Sequence, residues 1–93
     1  MVRMAVLYER EVDPDRYQRH LEEFVSKVEC QALRHGKAFG SPFDKPAFAY
    51  YAEFEWADMD SFKATARSEE FAASGADAME MGIPFSATFV ELR

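Results

Sequence analysis

The stretch from Ala47 to Trp56, AFAYYAEFEW, decides the fold of this chain. Successive residues of a β-strand point to opposite faces of its sheet, so an alternating pattern predicts what each face carries. One face would bear Phe48, Tyr50, Ala52, Phe54 and Trp56, and the other Ala47, Ala49, Tyr51, Glu53 and Glu55. We therefore predict a strand over residues 47–56 whose bulky apolar face packs against helices.

The elements before this strand follow from similar patterns. Residues 2–8 alternate in the way that is typical of a strand. Asp13 followed by Pro14 marks a helix start, because Asp caps free backbone N–H groups and Pro suits the first helical position. Apolar residues at helical spacing extend this predicted helix to near Cys30.

The remaining elements continue the alternation of strands and helices. They are a weaker strand over 31–40, a hairpin loop over 41–46, a helical region starting at Asp58, and a last strand over 83–92. We expect Gly75 to interrupt the second helical region. Two interpretations of Asp77 stay open: it caps a final short turn through Met81, which we prefer, or it belongs to a functional site.

The order β-α-β-β-α-β is that of ferredoxin-like α+β domains, in which two helices cover one face of a four-stranded antiparallel sheet. We expect residues 1–93 to form one such domain. Several strands are apolar on both faces, yet two helices cover only one. A second copy of the sheet is the simplest cover for the other face, so we predict a homodimer through the sheet face.

Composition excludes several classes of function. The chain has 93 residues, 48% of them hydrophobic, and a net charge of −6. This acidic balance disfavours nucleic acids and anionic membranes as partners. No run approaches the ~20 apolar residues that a membrane-spanning helix needs. The single cysteine, Cys30, permits neither a disulfide within the chain nor a thiolate zinc site, and we expect a cytoplasmic protein.

Short motifs in both halves of the chain are those of a known family. In the first half they are Val6-Leu7-Tyr8-Glu9, Asp13-Pro14, and Tyr17 three residues before His20. In the second half they are Phe54-Glu55-Trp56, Asp58 to Phe62, Ser68-Glu69-Glu70, and Asp77. These motifs cover most of the chain and resemble the EthD-like family of dimeric α/β-barrel proteins. The resemblance implies the ferredoxin-like fold and a dimeric barrel more strongly than it implies any reaction.

One departure bears on the chemistry that the resemblance implies. The family pattern continues about one turn after the first histidine with a second histidine and a Pro-Leu pair, whereas residues 24–28 here are FVSKV. The departure weighs against a reaction that uses two histidines from this helix. Barrels related to this family include cofactor-independent monooxygenases, polyketide cyclases and haem-degrading enzymes.

His20 is the residue for which the sequence best supports a catalytic role. Helical spacing places it on or beside the buried stripe of the first helix, where a neutral imidazole near an aromatic cavity could act as a general base. The competing interpretation is a structural histidine bonded to a strand carbonyl. His35, in the weak second strand, is expected to be exposed.

Four further residues are candidates for contacting a ligand: Tyr8, Phe24, Tyr51 and Glu53. Tyr51 and Glu53 would share a face with small alanines that leave room for a molecule, and Tyr8 would stand at the end of the first strand. We expect Tyr8 and Glu53 to be the polar groups nearest His20. For Glu53 the competing interpretation is a solvated residue or an ion pair with Arg3 or Arg34 across the sheet.

Two hypotheses for function follow. In the first, the protein binds an apolar or aromatic organic molecule in a sheet-lined cavity and performs acid–base or cofactor-independent oxygen chemistry through His20. In the second, it is a non-catalytic ligand-binding or accessory module that supports a partner enzyme. The sequence contains no cluster of metal ligands and no phosphate-binding glycine loop, so we predict neither a metal nor a cofactor. Haem ligation by His20 or His35 is a weaker third interpretation.

Overall fold

Four strands and three α-helices follow one another along the chain in the order β-α-β-β-α-α-β. The computed structural model describes all residues, 1–93. The elements are β1 (Val2–Tyr8), α1 (Pro14–Glu23), a 3₁₀ helix (Val25–Lys27), β2 (Ala32–Lys37), β3 (Tyr50–Trp56), α2 (Met59–Ala66), α3 (Glu69–Glu80) and β4 (Phe85–Glu91). No helix is both long enough and apolar enough to cross a bilayer.

The strands form one sheet in the order β2-β3-β1-β4, and every neighbouring pair is antiparallel. The predicted ferredoxin-like α+β fold is therefore confirmed. Tyr8, at the end of β1, pairs with Tyr50 on one side and with Phe85 on the other. The register thus brings three aromatic side chains together at one end of the helix-covered face.

The alternation within the strands separates two faces, as predicted. On β1 and β3 the face that packs against the helices buries Val2, Met4, Val6, Tyr8, Tyr50, Ala52, Phe54 and Trp56. The opposite face, here called the open face, carries Arg3, Ala5, Leu7, Tyr51, Glu53 and Glu55 on the same two strands, with Arg34 on β2 and Ser86, Thr88 and Val90 on β4. No helix packs on the open face.

Two predicted boundaries, the end of the first helix and the start of the third strand, are wrong. The first helix ends at Glu23 and a 3₁₀ helix follows, because Phe24 departs from helical geometry with φ −122° and ψ −57°. The third strand begins at Tyr50 rather than Ala47. Phe48 therefore leaves the strand alternation, and its ring lies 6.1 Å from that of Tyr51 instead of in the helix-packed core.

The second helical region is interrupted at a different place from the one predicted. Helix α3 continues through Gly75, and the break falls between α2 and α3, where the Ser68 hydroxyl accepts a hydrogen bond from the Phe71 N–H. This is an N-cap interaction, which starts a new helix. The preferred interpretation of Asp77 is also wrong, because it lies within α3 and caps no separate turn.

Candidate functional site

His20 lies on the side of α1 that faces the sheet. It follows Tyr17 by about one helical turn, and the Tyr17 ring stacks on Tyr50 of β3 with centroids 3.9 Å apart. This stacking fixes α1 against the end of β3 and turns the imidazole inward. His20 is 1% exposed, and both of its ring nitrogens have partners.

A carboxylate on a different helix holds one side of the imidazole. His20 Nδ1 lies 2.8 Å from Asp77 Oδ2, and Arg16 donates to both carboxylate oxygens of Asp77 at 3.0 and 2.7 Å. A two-point contact between guanidinium and carboxylate fixes orientation as well as charge. Arg16 and His20 lie four residues apart and therefore on the same face of α1. Both residues hydrogen-bond to Asp77 of α3 from that face.

The pairing assigns the protonation state of this group. Burial would by itself raise the pKa of Asp77, but hydrogen bonds from Arg16 and His20 outweigh it and hold that pKa below its ordinary value. For His20, burial lowers the pKa and outweighs the opposing effect of the Asp77 hydrogen bond. The imidazole is therefore neutral at pH 7. Since a carboxylate only accepts, the ring proton is assigned to Nδ1 and Nε2 is an acceptor.

Tyr8 occupies that acceptor. Its hydroxyl lies 2.8 Å from His20 Nε2 and donates to it, while burial raises the pKa of Tyr8. Tyr8 is also surrounded by aromatic rings, with the centroids of Tyr17 and Phe85 at 5.6 and 5.8 Å. Arg16, Asp77, His20 and Tyr8 thus form one continuous hydrogen-bonded chain, here called the relay.

The relay ends at a cavity of about 160 Å³ between the sheet and α3. Ten of its thirteen lining residues are hydrophobic, and Tyr8 and His20 are the titratable ones. Its walls include Phe71 of α3 and Phe85 and Phe89 of β4. The cavity has room for a small apolar molecule, and its polar lining consists of Tyr8, His20 and Ser74. The Ser74 hydroxyl already donates to the Phe71 backbone oxygen.

A larger hollow of about 590 Å³ lies elsewhere, bordered by Trp56, Cys30 and hydroxyl-bearing residues of α2. Its buried hydroxyl, on Thr65, already donates to the backbone oxygen of Glu29. No residue of the relay borders it. The smaller cavity is the better candidate site, because a buried, hydrogen-bonded pair of titratable groups borders a ligand-sized space there.

The structure separates the predicted site residues into different places. Tyr8 and His20 come together as expected, but Tyr51 and Glu53 lie on the open face, with the sheet between them and His20. The expectation that Glu53 lies near His20 is therefore wrong. The physical reason is the strand period: Glu53 is one residue from the buried Phe54, so it points the other way.

Glu53 instead belongs to an ion-pair cluster on the open face. It accepts hydrogen bonds from the Tyr51 hydroxyl at 2.9 Å and from Arg34 at 2.6 Å. Glu55 pairs with Arg34 and, at 3.3 Å, with Arg3. Burial would raise the pKa of Glu53, yet these hydrogen bonds lower it overall. The competing interpretation of Glu53, an ion pair across the sheet, describes this arrangement.

Phe24 and His35 also lie away from the relay. Phe24 is half-buried beside Glu23 and Lys27, at a shallow hollow that the cavity does not reach. His35 is exposed on β2, as expected. Arg16 is not among the site residues predicted from the sequence. The one signal for it is the position of a basic residue four places before His20 on a predicted helix. Basic residues are common on the solvated faces of helices, so this spacing does not indicate a partner.

Comparisons with solved structures place this arrangement in a known fold. An EthD (ethyl tert-butyl ether D) family protein from Bacillus halodurans superimposes with a TM-score of 0.81 at 24% identity, covering 100% of this chain and 99% of that one. The chain has the EthD-like ferredoxin-like fold.

Two further structures support this assignment of fold. An EthD-like protein from Ralstonia eutropha matches with a TM-score of 0.70 at 19% identity over 97% of this chain and 89% of that one. A dimeric ferredoxin-like protein of unknown function from Thermobifida fusca matches with a TM-score of 0.66 at 21% identity over 98% and 90%. No protein-family model matches the sequence, and no curated protein matches it.

Proposed function

We propose that the protein binds a small apolar or aromatic molecule in the 160 Å³ cavity and exchanges a proton with it through Tyr8 and His20. The observation that carries this proposal is the relay, a chain of four polar side chains, three of them buried, that ends at a largely apolar cavity. Buried polar networks are costly unless fully paired, and this one is paired along its length. Because the relay ends at the cavity, it is placed to contact a molecule bound there.

The proton movement balances within the relay. A ligand with an acidic O–H or C–H transfers its proton to the Tyr8 oxygen, while Tyr8 passes its own proton to Nε2 of His20. The imidazolium that forms is stabilised by Asp77, which Arg16 keeps ionised. The reverse steps return the proton to a different atom of the ligand. Such positioned proton transfer contributes roughly 10²–10⁴ in rate.

The direct version of this chemistry, with His20 touching the ligand, is less favoured. The Nε2 of His20 is already occupied by the Tyr8 hydroxyl, whereas the Tyr8 oxygen keeps a lone pair that can accept a proton from a ligand. In the proposed mechanism Tyr8 is the catalytic residue in contact with the ligand. His20 stores the proton, and Asp77 and Arg16 position the imidazole.

The lining of the cavity limits the ligands. It contains no Lys or Arg side chain that could neutralise a carboxylate or phosphate. A space of this volume holds a molecule of roughly one aromatic ring. Neutral phenols and 1,3-diketones meet both limits and carry a proton that the relay could move.

The experiment follows hydrogen–deuterium exchange at C3 of 2,4-pentanedione by NMR, with phenol as a competing ligand. We expect the protein to accelerate exchange above buffer, Tyr8→Phe to remove the acceleration, and phenol to inhibit it. His35→Gln, which alters an exposed histidine outside the relay, serves as the matched control and should exchange like the wild type. Equal exchange by Tyr8→Phe and the wild type would refute the relay mechanism.

The complete pairing of His20 favours a second candidate function, a non-catalytic ligand-binding or accessory module. In that function the relay holds the cavity wall in place without moving a proton. The same experiment separates the two candidates. Binding of phenol without any acceleration of exchange would support the module, and acceleration supports the enzyme.

We also propose that the open face is covered by a second copy of the chain. Leu7 and Val90 place apolar surface there, and the charges of Glu53 and Glu55 are already paired with arginines. A buried charge is tolerated when it is paired in this way. Light scattering should give a particle of twice 10.7 kDa at micromolar concentration. A monodisperse monomer would contradict the proposal.

A further inference from the structure

The loop between β2 and β3, residues 38–49, carries the two most exposed aromatic side chains of the protein. Phe39 and Phe43 are 102% and 91% exposed, more than any other large apolar residue of the chain. We propose that this loop is an arm whose two phenylalanines pack against a second copy of the chain. The proposal rests on the proposed dimer and adds an interface outside the sheet.

The arm has a defined shape at its tip. Ser41 and Asp44 pair across a turn that contains Pro42 and Phe43, and the Phe43 N–H donates to the Ser41 hydroxyl at 3.3 Å. Asp44 adopts a φ of 115°, in the region that L-residues rarely enter. A turn fixed by these features presents its aromatic ring at a small further entropy cost, which is what a binding arm requires.

The base of the arm is continuous with the open face. The Ala38 N–H donates to the Ala49 oxygen at 2.8 Å, which closes the loop at the end of β2 and β3. Phe48 leaves the strand alternation and packs beside Tyr51, a residue of the open face. A second copy that covers the open face therefore lies next to the arm. By two-fold symmetry, the arm of that copy would lie next to the first chain.

The area of the sheet indicates what an arm adds. Four strands about 4.8 Å apart, each of about seven residues rising roughly 3.3 Å, outline a face of roughly 450 Å². Two such faces supply about 900 Å² of flat area, which corresponds to the lower part of the roughly 1,200–2,000 Å² of accessible surface that stable specific interfaces bury. Each phenylalanine adds roughly 150–250 Å² when covered. Two from each copy bring the interface further into the range of a stable dimer.

The charges favour a second copy over a partner of different chemistry. The ion-pair cluster of the open face contains two arginines and two glutamates, so it is neutral as a whole. Two identical neutral faces can meet without like-charge repulsion, whereas a charged partner would gain nothing from this surface. The arm offers apolar rings, which suit the isologous contact of a two-fold dimer.

Sedimentation velocity over a range of protein concentrations tests the arm. We expect Phe39→Ser combined with Phe43→Ser to weaken self-association by about 100-fold or more. Met79→Ser is the matched control, because Met79 is 73% exposed on the outer side of α3 and should leave self-association unchanged. Replacement of Phe43 by the photo-crosslinker p-benzoylphenylalanine should give a covalent dimer of the purified protein on irradiation.

Each contrary outcome has a separate meaning. A double serine variant that dimerises like the wild type, or irradiation that leaves only monomer, overturns the arm while the sheet dimer stands. Leu7→Glu places a charge on the open face without touching the arm. If Leu7→Glu leaves the dimer intact while the double serine variant dissociates it, the sheet dimer fails and the arm stands. A monomeric wild type overturns both, and the proton-exchange experiment is unaffected.

Discussion

Both faces of the sheet carry charged side chains next to apolar surface, but the charges are shielded from water differently on the two faces. Under the helices, Asp77 is buried beside His20 and pairs with the half-buried Arg16. On the open face, Glu53 and Glu55 are shielded mainly by the arginines that pair with them, one of which, Arg34, is 56% exposed. The first network is complete within one chain, whereas the proposed dimer would cover the second. This difference predicts how each responds to mutation, pH and protein concentration.

The largest expected effect is at Asp77. Asp77→Asn removes the negative charge that accepts hydrogen bonds from both Arg16 and His20. The half-buried Arg16 then has no carboxylate partner. Breaking a buried pair on one side costs about 3–5 kcal/mol. Urea denaturation at a fixed protein concentration should show this loss in the free energy of unfolding.

The control for this variant lies on the same helix. Glu80→Gln changes an exposed carboxylate of α3 and should alter the free energy of unfolding by less than about 0.5 kcal/mol. If the two variants unfold alike, Asp77 is not the centre of the buried network.

A smaller loss is expected at Tyr8. Tyr8→Phe keeps the aromatic packing but leaves Nε2 of His20 without a donor, at a cost of about 1–3 kcal/mol. Chemical denaturation measures the stability, and NMR of the His20 ring reports the tautomer. An unchanged stability together with an unchanged ring spectrum would mean that the Tyr8–His20 hydrogen bond is absent.

The pH dependence of unfolding sharpens the comparison further. The pKa of His20 is lowered in the folded protein, so the unfolded chain takes up a proton first as the pH falls below about 6.5. Stability should therefore fall with decreasing pH from that point, by at most about 1.4 kcal/mol per pH unit for one proton. The lowered pKa of Asp77 adds a second loss below about pH 4.

His20→Gln should remove the first of these two phases and keep the second. His35→Gln should keep both, since His35 lies exposed outside the relay. A wild type whose stability is flat between pH 7 and pH 5 would contradict a buried neutral imidazole.

The smallest effect is expected on the open face. Arg34→Ala removes a partner of two glutamates, yet exposed ion pairs contribute only about 0–1 kcal/mol in a monomer. At protein concentrations where the dimer forms, the loss should grow, because the glutamates would then be covered without a partner. A loss that does not depend on protein concentration would place the open face in water.

The sequence by itself determined the class of fold. The alternation through Tyr50, Ala52, Phe54 and Trp56 specifies a strand with one buried face. Asp58 specifies a helix start, because its side chain caps the Ser61 N–H within four residues. These signals are local, and local geometry is what sequence periodicity encodes. The side of α1 on which His20 lies followed from the same kind of pattern.

Only the tertiary structure decided what His20 contacts. Tyr8 and Asp77 lie 12 and 57 positions away in the chain, and no spacing rule links residues so far apart. The position of Tyr8 at the end of β1 brings its hydroxyl within 2.8 Å of the imidazole. The packing of α3 against α1 brings the Asp77 carboxylate to the same distance on the other side of the ring. Glu53, by contrast, is placed on the open face by a one-residue step along β3. The periodicity of each strand and helix determines which face a side chain lies on. The packing of elements that are distant in the sequence determines which residue it contacts.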